Sequence, residues 1–438
     1  MTRSAAALSR PGLLTGVRSV GSGVLGAGLF TYLFLSLAGR VLGPVGFAPV
    51  SALWAMVFIV GPGLFLPVQQ ELGRVIAGQR ADRGGGHALR RVAVIAAAFC
   101  LVTVGGTLAA GPWLTRRLFS GNAALLWCFE LSVVAYAVAF LARGVLSGLG
   151  HYPDFGRLVA AEAAARLVVS GILTLAGLRS ATVFGAAIAV APLIAAALVT
   201  RLGARTRLRP GSAVRWREVT RAMGWLVLGS LLAQGLANAG PLAVQLLAAV
   251  DQRNQAGRFL SALVIARLAL YLFQAVQATL LPNVAELVAA GQLHVLRRAL
   301  TRLTVACAGL IVVSTLGALV LGPWVVRLLF GERFVISGGT MAMLAGASGV
   351  YVLAAALSGA AIASGGHRLS AGAWLTGCAA FAAGTLLSSD LFLRVELGYL
   401  IGSCAAALVL LVGLPLHLRR HRVGEDEAVK GADVTPTL

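Results

Sequence analysis

Apolar residues dominate this chain in runs of about twenty, separated by short polar segments rich in arginine. A helix needs about 20 mainly apolar residues to cross the hydrocarbon core of a bilayer. Twelve runs reach that length, at 19–39, 47–68, 92–113, 122–146, 158–178, 182–200, 222–249, 259–283, 303–324, 337–363, 370–389 and 397–418. They predict twelve transmembrane helices, called spans 1 to 12 here. The longest connections, 69–91, 201–221 and 284–302, are too short for a soluble domain. The tail 419–438 is polar and is expected to be disordered. The predicted fold class is an all-α polytopic membrane protein.

Composition agrees. Of the 438 residues 58% are hydrophobic and 12% are charged, against roughly 25% charged in an ordinary soluble domain. A water-soluble exterior needs more polar cover than this. Soluble enzymes, disulfide scaffolds and disordered chains are excluded. Cys100, Cys128, Cys307, Cys378 and Cys404 all fall inside apolar runs, without a CxxC or His-Cys pattern, and read as small buried hydrophobes. No metal or cofactor is expected. Arg3, Arg10 and Arg18 precede the first full-length run, and no small-residue cleavage site follows, which predicts a retained first helix.

The net charge of +21 comes from 36 basic residues scattered between the spans. No basic domain could hold a duplex, so nucleic acid is not an expected partner. The charge is topogenic. With both termini cytoplasmic, the inside segments carry 24 Arg and Lys and the outside segments 9. This follows the positive-inside rule. The linker 201–221 alone carries seven arginines, enough to hold anionic lipid or simply to enforce topology.

The chain repeats itself. Leu66-Pro67-Val68-Gln69-Gln70-Glu71-Leu72 and Leu281-Pro282-Asn283-Val284-Ala285-Glu286-Leu287 both read L-P-x-x-x-E-L, 215 residues apart. The segments Gly111–Phe119 and Gly322–Phe330 both read G-P-W-x-x-R-x-L-F, 211 apart. Gly150-His151 and Gly366-His367 form a weaker pair, 216 apart. Each half then has six spans in the same orientation, which predicts parallel repeats about an axis along the membrane normal. The expected divisions are a six-helix bundle over 1–200, a basic linker over 201–221, a second bundle over 222–418 and the tail. The plainer role of both motifs is anchoring, with Trp113 and Trp324 at the interface.

Two segments resemble a known family. Arg40-Val41-Leu42-Gly43-Pro44-Val45-Gly46-Phe47 is similar to the R-x-L-G-P-x-G-F segment after the first helix of polysaccharide-biosynthesis flippases. Arg143-Gly144-Val145-Leu146-Ser147-Gly148-Leu149-Gly150 resembles their turn after helix 4. These are the Wzx-type members of the multidrug/oligosaccharidyl-lipid/polysaccharide (MOP) exporter superfamily. The resemblance implies two halves around a central cavity and movement of a polyprenyl-diphosphate-linked saccharide to the outer leaflet by alternating access. It also implies a monomer in the bacterial cytoplasmic membrane, and a cavity lined by helices 1, 2, 7 and 8 with arginines for the diphosphate. A MATE-like drug exporter is the nearer alternative. A major facilitator transporter is the next. Gly78–Gly85 matches part of that class's G-x-x-x-D-R-x-G loop, but the following basic pair comes late, at Arg90-Arg91, and no second copy lies between spans 8 and 9. An enzyme is not expected, because the outer loops are short and offer only Asp251, Glu332, Asp390 and Glu396.

Ionisable residues inside spans are costly in lipid and become site candidates. Arg267 on span 8 has no acidic residue at helical spacing and is the candidate grip for the diphosphate. Arg40 at the end of span 1 could receive the same group later. Gln234 and Asn238 share one face of span 7, and Gln245, Gln274 and Gln277 add polar positions on spans 7 and 8. Together they suggest a polar cavity wall that Pro241 kinks. Interhelical hydrogen bonding is the plainer alternative. Glu162 and Arg166 stand i,i+4 on span 5 in the favourable order for a pair. Glu130 on span 4 is a proton-coupling candidate or a partner for Arg166. Arg143, near the cytoplasmic edge, is expected to snorkel to water.

Overall fold

The computed structural model describes residues 11–79, 84–202, 208–211, 223–249, 252, 255–267 and 293–432. Within them all regular structure is helical. Spans 1 and 2 lie on α1 (Pro11–Gly78), which breaks where Gly43 takes φ 64° and ψ 175°. That backbone region favours glycine, and Pro44 follows at the start of the next helical segment. Span 3 is α2 (Gly86–Ala109), followed by the short α3 (Gly111–Arg117). Spans 4 to 6 are α4 (Ala123–Leu149), α5 (Tyr152–Leu175) and α6 (Ala181–Leu202). Spans 7 to 12 follow as α7 (Met223–Leu247), α8 (Gln255–Ala266), α9 (Leu293–Phe330), α10 (Gly338–Ala363), α11 (His367–Gly384) and α12 (Leu391–Ala432). Every predicted span therefore contains a described helix. Most of span 8, including Gln274 and Gln277, and the second L-P-x-x-x-E-L copy lie outside the described residues.

Two boundaries differ from the prediction. α9 starts ten residues before the expected span. α12 runs to Ala432, through most of the tail expected to be disordered. Extending an existing helix adds a hydrogen bond per residue without a new nucleus. Such growth does not require an apolar sequence.

The repeat is visible in the helix ends. Asn122 caps α4 and Ser337 caps α10, each accepting a backbone N–H bond on its side chain. α4 and α10 thus start 215 residues apart, as do α5 and α11. Between these helices Gly150 (φ 78°) corresponds to Gly365 (φ 81°). The left-handed glycine fixes the register, so Gly150-His151 aligns with Gly365-Gly366, one residue away from the match by letter. The true offset here is 215, not 216.

The offset changes earlier, and the change is local. Phe119 and Phe330 end the G-P-W motif, 211 apart. Two residues separate Phe119 from the α4 cap, while six separate Phe330 from the α10 cap. The four extra residues contain a 3-10 turn, Glu332–Phe334. This turn sits at the end of the bundle that also holds the Gly43 break.

The halves meet there. Arg40 Nε donates to the Leu329 carbonyl at 2.7 Å, its Nη2 donates to the Leu328 carbonyl, and the Ser36 hydroxyl also donates to Leu329. Phe47 lies 6.2 Å from Phe330 and 5.9 Å from Phe334, ring to ring. The Tyr32 hydroxyl donates to the Val264 carbonyl at 2.8 Å. Toward the other end, the Ser230 hydroxyl donates to the Pro62 carbonyl at 3.2 Å. The segment 208–211 docks on the start of α2, with the Gly86 and His87 amides donating to Arg209 and Pro210.

Candidate functional site

The first site lies in the N-terminal half, between α1, α4 and α5. Arg166 Nη2 donates to Glu162 Oε1 at 2.9 Å and to the Tyr136 hydroxyl at 3.1 Å. Tyr136 in turn donates to Glu162 Oε1 at 2.9 Å. Arg143 Nη2 takes the other carboxylate oxygen of Glu162. The helix places Glu162 and Arg166 one turn apart, as the spacing predicted; Arg143 reaches them from the neighbouring helix. The Arg166 guanidinium lies 5.1 Å from the Trp54 ring centroid and under 6 Å from those of Phe34 and Phe58. Arg166 is 2% exposed. The Nε atoms of Arg143 and Arg166 are buried without a partner. Counted formally, the nest of two guanidinium groups and one carboxylate carries +1.

This geometry corrects two expectations. Arg143 does not reach out to water; its side chain is 11% exposed and bound to Glu162. Arg166 does not pair with Glu130. The Thr107 hydroxyl donates to Glu130 Oε1 at 2.7 Å, across α2 and α4, and Glu130 Oε2 is buried without a partner. A charged pair forms where the helix spacing and the facing helix both deliver it, and α4 turns Glu130 toward α2 instead.

The second site lies in the C-terminal half. Arg267 Nη1 donates to Asn238 Oδ1 and its Nη2 to the Tyr399 hydroxyl, both at a long 3.4 Å. The guanidinium stands 5.6 Å from the Tyr399 ring centroid. Its Nε is buried without a partner. Among the described residues no carboxylate pairs with Arg267. Asn238 also donates to the Gln234 carbonyl at 3.1 Å and contacts its side-chain oxygen at 3.5 Å. Gln274, expected on the same wall, lies outside the described residues.

Arg40 stands exposed and directs its Nε and Nη2 to the last carbonyls of α9. These carbonyls carry the negative end of the helix dipole and suit a cation. A buried carboxylate was missed by sequence reading. Glu396, assigned to an outer loop, is 3% exposed on α12, and its Oε1 lacks a partner. α12 starts at Leu391 rather than 397, with the Leu393 amide donating to Asp390 at 2.8 Å. That Asp-capped start was the available signal.

A cleft of about 350 Å³ lies beside α7. It is lined by Ile59, Gly235, Leu236, Ala239, Cys378 and Phe381 among others, and is almost wholly apolar. Gln234 and Asn238 are not among its walls. Among the described residues no group of His, Cys, Asp and Glu could hold a metal ion.

No protein-family profile matches the chain. It is 24% identical over 423 residues to an uncharacterized protein of Mycobacterium tuberculosis, covering 92% of this chain and 90% of that one. An uncharacterized protein of Mycobacterium bovis is 24% identical over 418 residues, covering 92% and 91%. Solved structures share the fold. The MATE multidrug transporter DinF-BH superposes with a TM-score of 0.67 at 15% identity, covering 91% of this chain and 95% of that one. An inward-facing multidrug resistance MATE transporter of the MOP superfamily gives 0.64 at 16%, covering 92% and 95%. The Vibrio cholerae MATE transporter VcmN in its bent form gives 0.60 at 14%, covering 93% and 99%. The chain thus has the all-α, two-repeat fold of MATE transporters.

Proposed function

We propose that this chain is a membrane transporter that moves a polyprenyl-diphosphate-linked saccharide to the outer leaflet by alternating access, serving polysaccharide or cell-envelope biosynthesis. The supporting observation is the positive nest of Arg143, Glu162 and Arg166. At the repeat offset of 215 its positions correspond to Ser358, Gly377 and Phe381, while Tyr136 corresponds to Tyr351. The second half builds the same helix pair without these charges, so the scaffold does not need them. A buried net positive charge attracts an anion and repels a cation. Arg267, held among the described residues by long bonds to neutral groups, adds a second cation suited to a diphosphate.

In this reading Arg267, Gln234 and Asn238 contact the headgroup, and Gln274 is a further candidate by its position in the sequence. Glu130, Glu162 and Arg166 are the coupling candidates. The two bundles divide at the basic linker 201–221, and the chain acts as a monomer in the bacterial cytoplasmic membrane. The partners are the lipid-linked saccharide and membrane lipid. Drug export is the second reading, favoured by the names of the structures that share the fold.

Proteoliposomes loaded with a labelled polyprenyl-diphosphate saccharide and, separately, with a lipophilic cationic dye decide between them. The expected result is translocation of the saccharide lipid and none of the dye; the reverse pattern overturns the proposal. Topology has its own test. Reporter fusions after residues 210 and 425 are expected to read cytoplasmic, and one after 253 external. An external signal at 210 would reverse the orientation.

A further inference from the structure

We propose that the four residues 332–335, present in the second repeat and absent from the first, form a lock that holds the two halves together at the Gly43 end. The insertion has no counterpart between Phe119 and Asn122, where the chain passes directly through Ser120 (φ 53°) and Gly121 (φ 84°) into the α4 cap. In the second repeat the 3-10 turn carries Phe334 inward, where it is 1% exposed. Phe334 and Phe330, 5.6 Å apart, both face Phe47 of the opposite half. Three aromatic rings from two halves thus share one enclosed cluster.

The same turn organises the polar part. The Arg333 carbonyl accepts from Arg258 Nε at 2.9 Å, tying the turn to α8. Glu332 pairs with Arg327 at 2.9 Å on the exposed side. α8 in turn presses on the break in α1: a Cβ at Gly257 would lie 2.5 Å from the Pro44 carbonyl oxygen. Arg40 and Ser36 then close the remaining face by donating to the last carbonyls of α9. Most of these residues come from two sequence features that are distant in the chain, the R-x-L-G-P-x-G-F segment and the second G-P-W motif with its insertion. The fold brings them together.

The lock works by simple exclusion. Its rings pack α1 against the end of α9, and Arg40 and Ser36 hold the last α9 carbonyls. Opening must expose three buried phenylalanines and strip Arg40 from a helix end together. Closure is therefore built unequally, with the second repeat supplying the bolt. The lock does not depend on the cargo, and the side of the membrane that it faces follows from the orientation proposed above.

Cysteine labelling tests this directly. In a chain with its five native cysteines replaced, a cysteine is placed at Ala52, which is fully buried one turn below Ala48 at the α8 contact. A separate chain with cysteine at exposed Arg333 marks the side to which the Gly43 end faces. The unlocked variants are deletion of 332–335, Phe334→Ala and, as a wedge on the backbone, Gly257→Ala. A membrane-impermeant maleimide is added on the marked side. The expected result is at least tenfold faster labelling at position 52 in the unlocked variants than in the parent. Trp113→Ala, in the first repeat's motif, is expected to leave the rate unchanged. Each variant is compared at equal accumulation and with a single symmetric gel-filtration peak. An unchanged rate in Phe334→Ala and Gly257→Ala, both folded, overturns the lock. Because no substrate enters the measurement, the result stands apart from the identity of the cargo.

Discussion

Arg267→Ala is expected to reduce transport of a diphosphate lipid by about 10- to 100-fold while the protein still inserts and accumulates. The guanidinium is held at 3.4 Å by Asn238 and Tyr399, and its Nε has no partner. Losing a hydrogen bond to a charged group costs about 1.5–3 kcal/mol, and each 1.4 kcal/mol is about tenfold. Folding is expected to lose little, because both partners among the described residues are neutral. Arg267→Lys should recover only part of the activity, since a point charge cannot reproduce the planar fork. Arg179→Ala, in an exposed turn, is the silent control. The assay is delivery of labelled lipid-linked saccharide to the far leaflet at matched protein levels. Normal transport by Arg267→Ala would remove the C-terminal cation from the mechanism.

Glu162→Gln is expected to act on folding instead. It leaves two guanidinium groups facing one another without a carboxylate. Removing one partner of a buried ion pair costs about 3–5 kcal/mol. The detergent-solubilised protein should melt well below the parent. Arg143→Gln changes the same nest in the other direction, leaving Glu162 and Arg166 as a neutral pair. Its melting temperature should stay close to the parent's, while transport of the anion falls. The contrast separates the two roles. If Arg143→Gln melts as early as Glu162→Gln, the nest serves packing and not the cargo.

Much of the fold was legible because membrane burial writes itself into runs of fixed length. Each of the twelve runs contains a described helix, and the Gly43-Pro44 break falls between the first two. The Glu162–Arg166 pair was legible because one helix sets both positions. Arg143 was not, because its contact depends on how α4 faces α5, which spacing along the chain does not encode. The repeat shows a subtler limit. Identical letters paired His151 with His367, but backbone conformation pairs the left-handed Gly150 with Gly365. The 211-to-215 step in offset was present in the sequence. Its meaning came only when Phe334 was found against Phe47. The Arg40 contacts were not legible, because their acceptors are main-chain carbonyls, which no side-chain pattern announces.

The charge of the N-terminal nest has a consequence in a living membrane. A group carrying +1 feels the transmembrane voltage. Moving one elementary charge across the full field is worth about 2.3 kcal/mol per 100 mV. An inside-negative potential therefore pulls the empty nest toward the cytoplasm. A diphosphate diester carries two ionised phosphates, which offset the nest and Arg267 together, and that pull then vanishes. In the proposed transport cycle, respiration would bias the unloaded protein's return and leave the loaded step electrically silent, with the saving set by the fraction of the field that these charges cross.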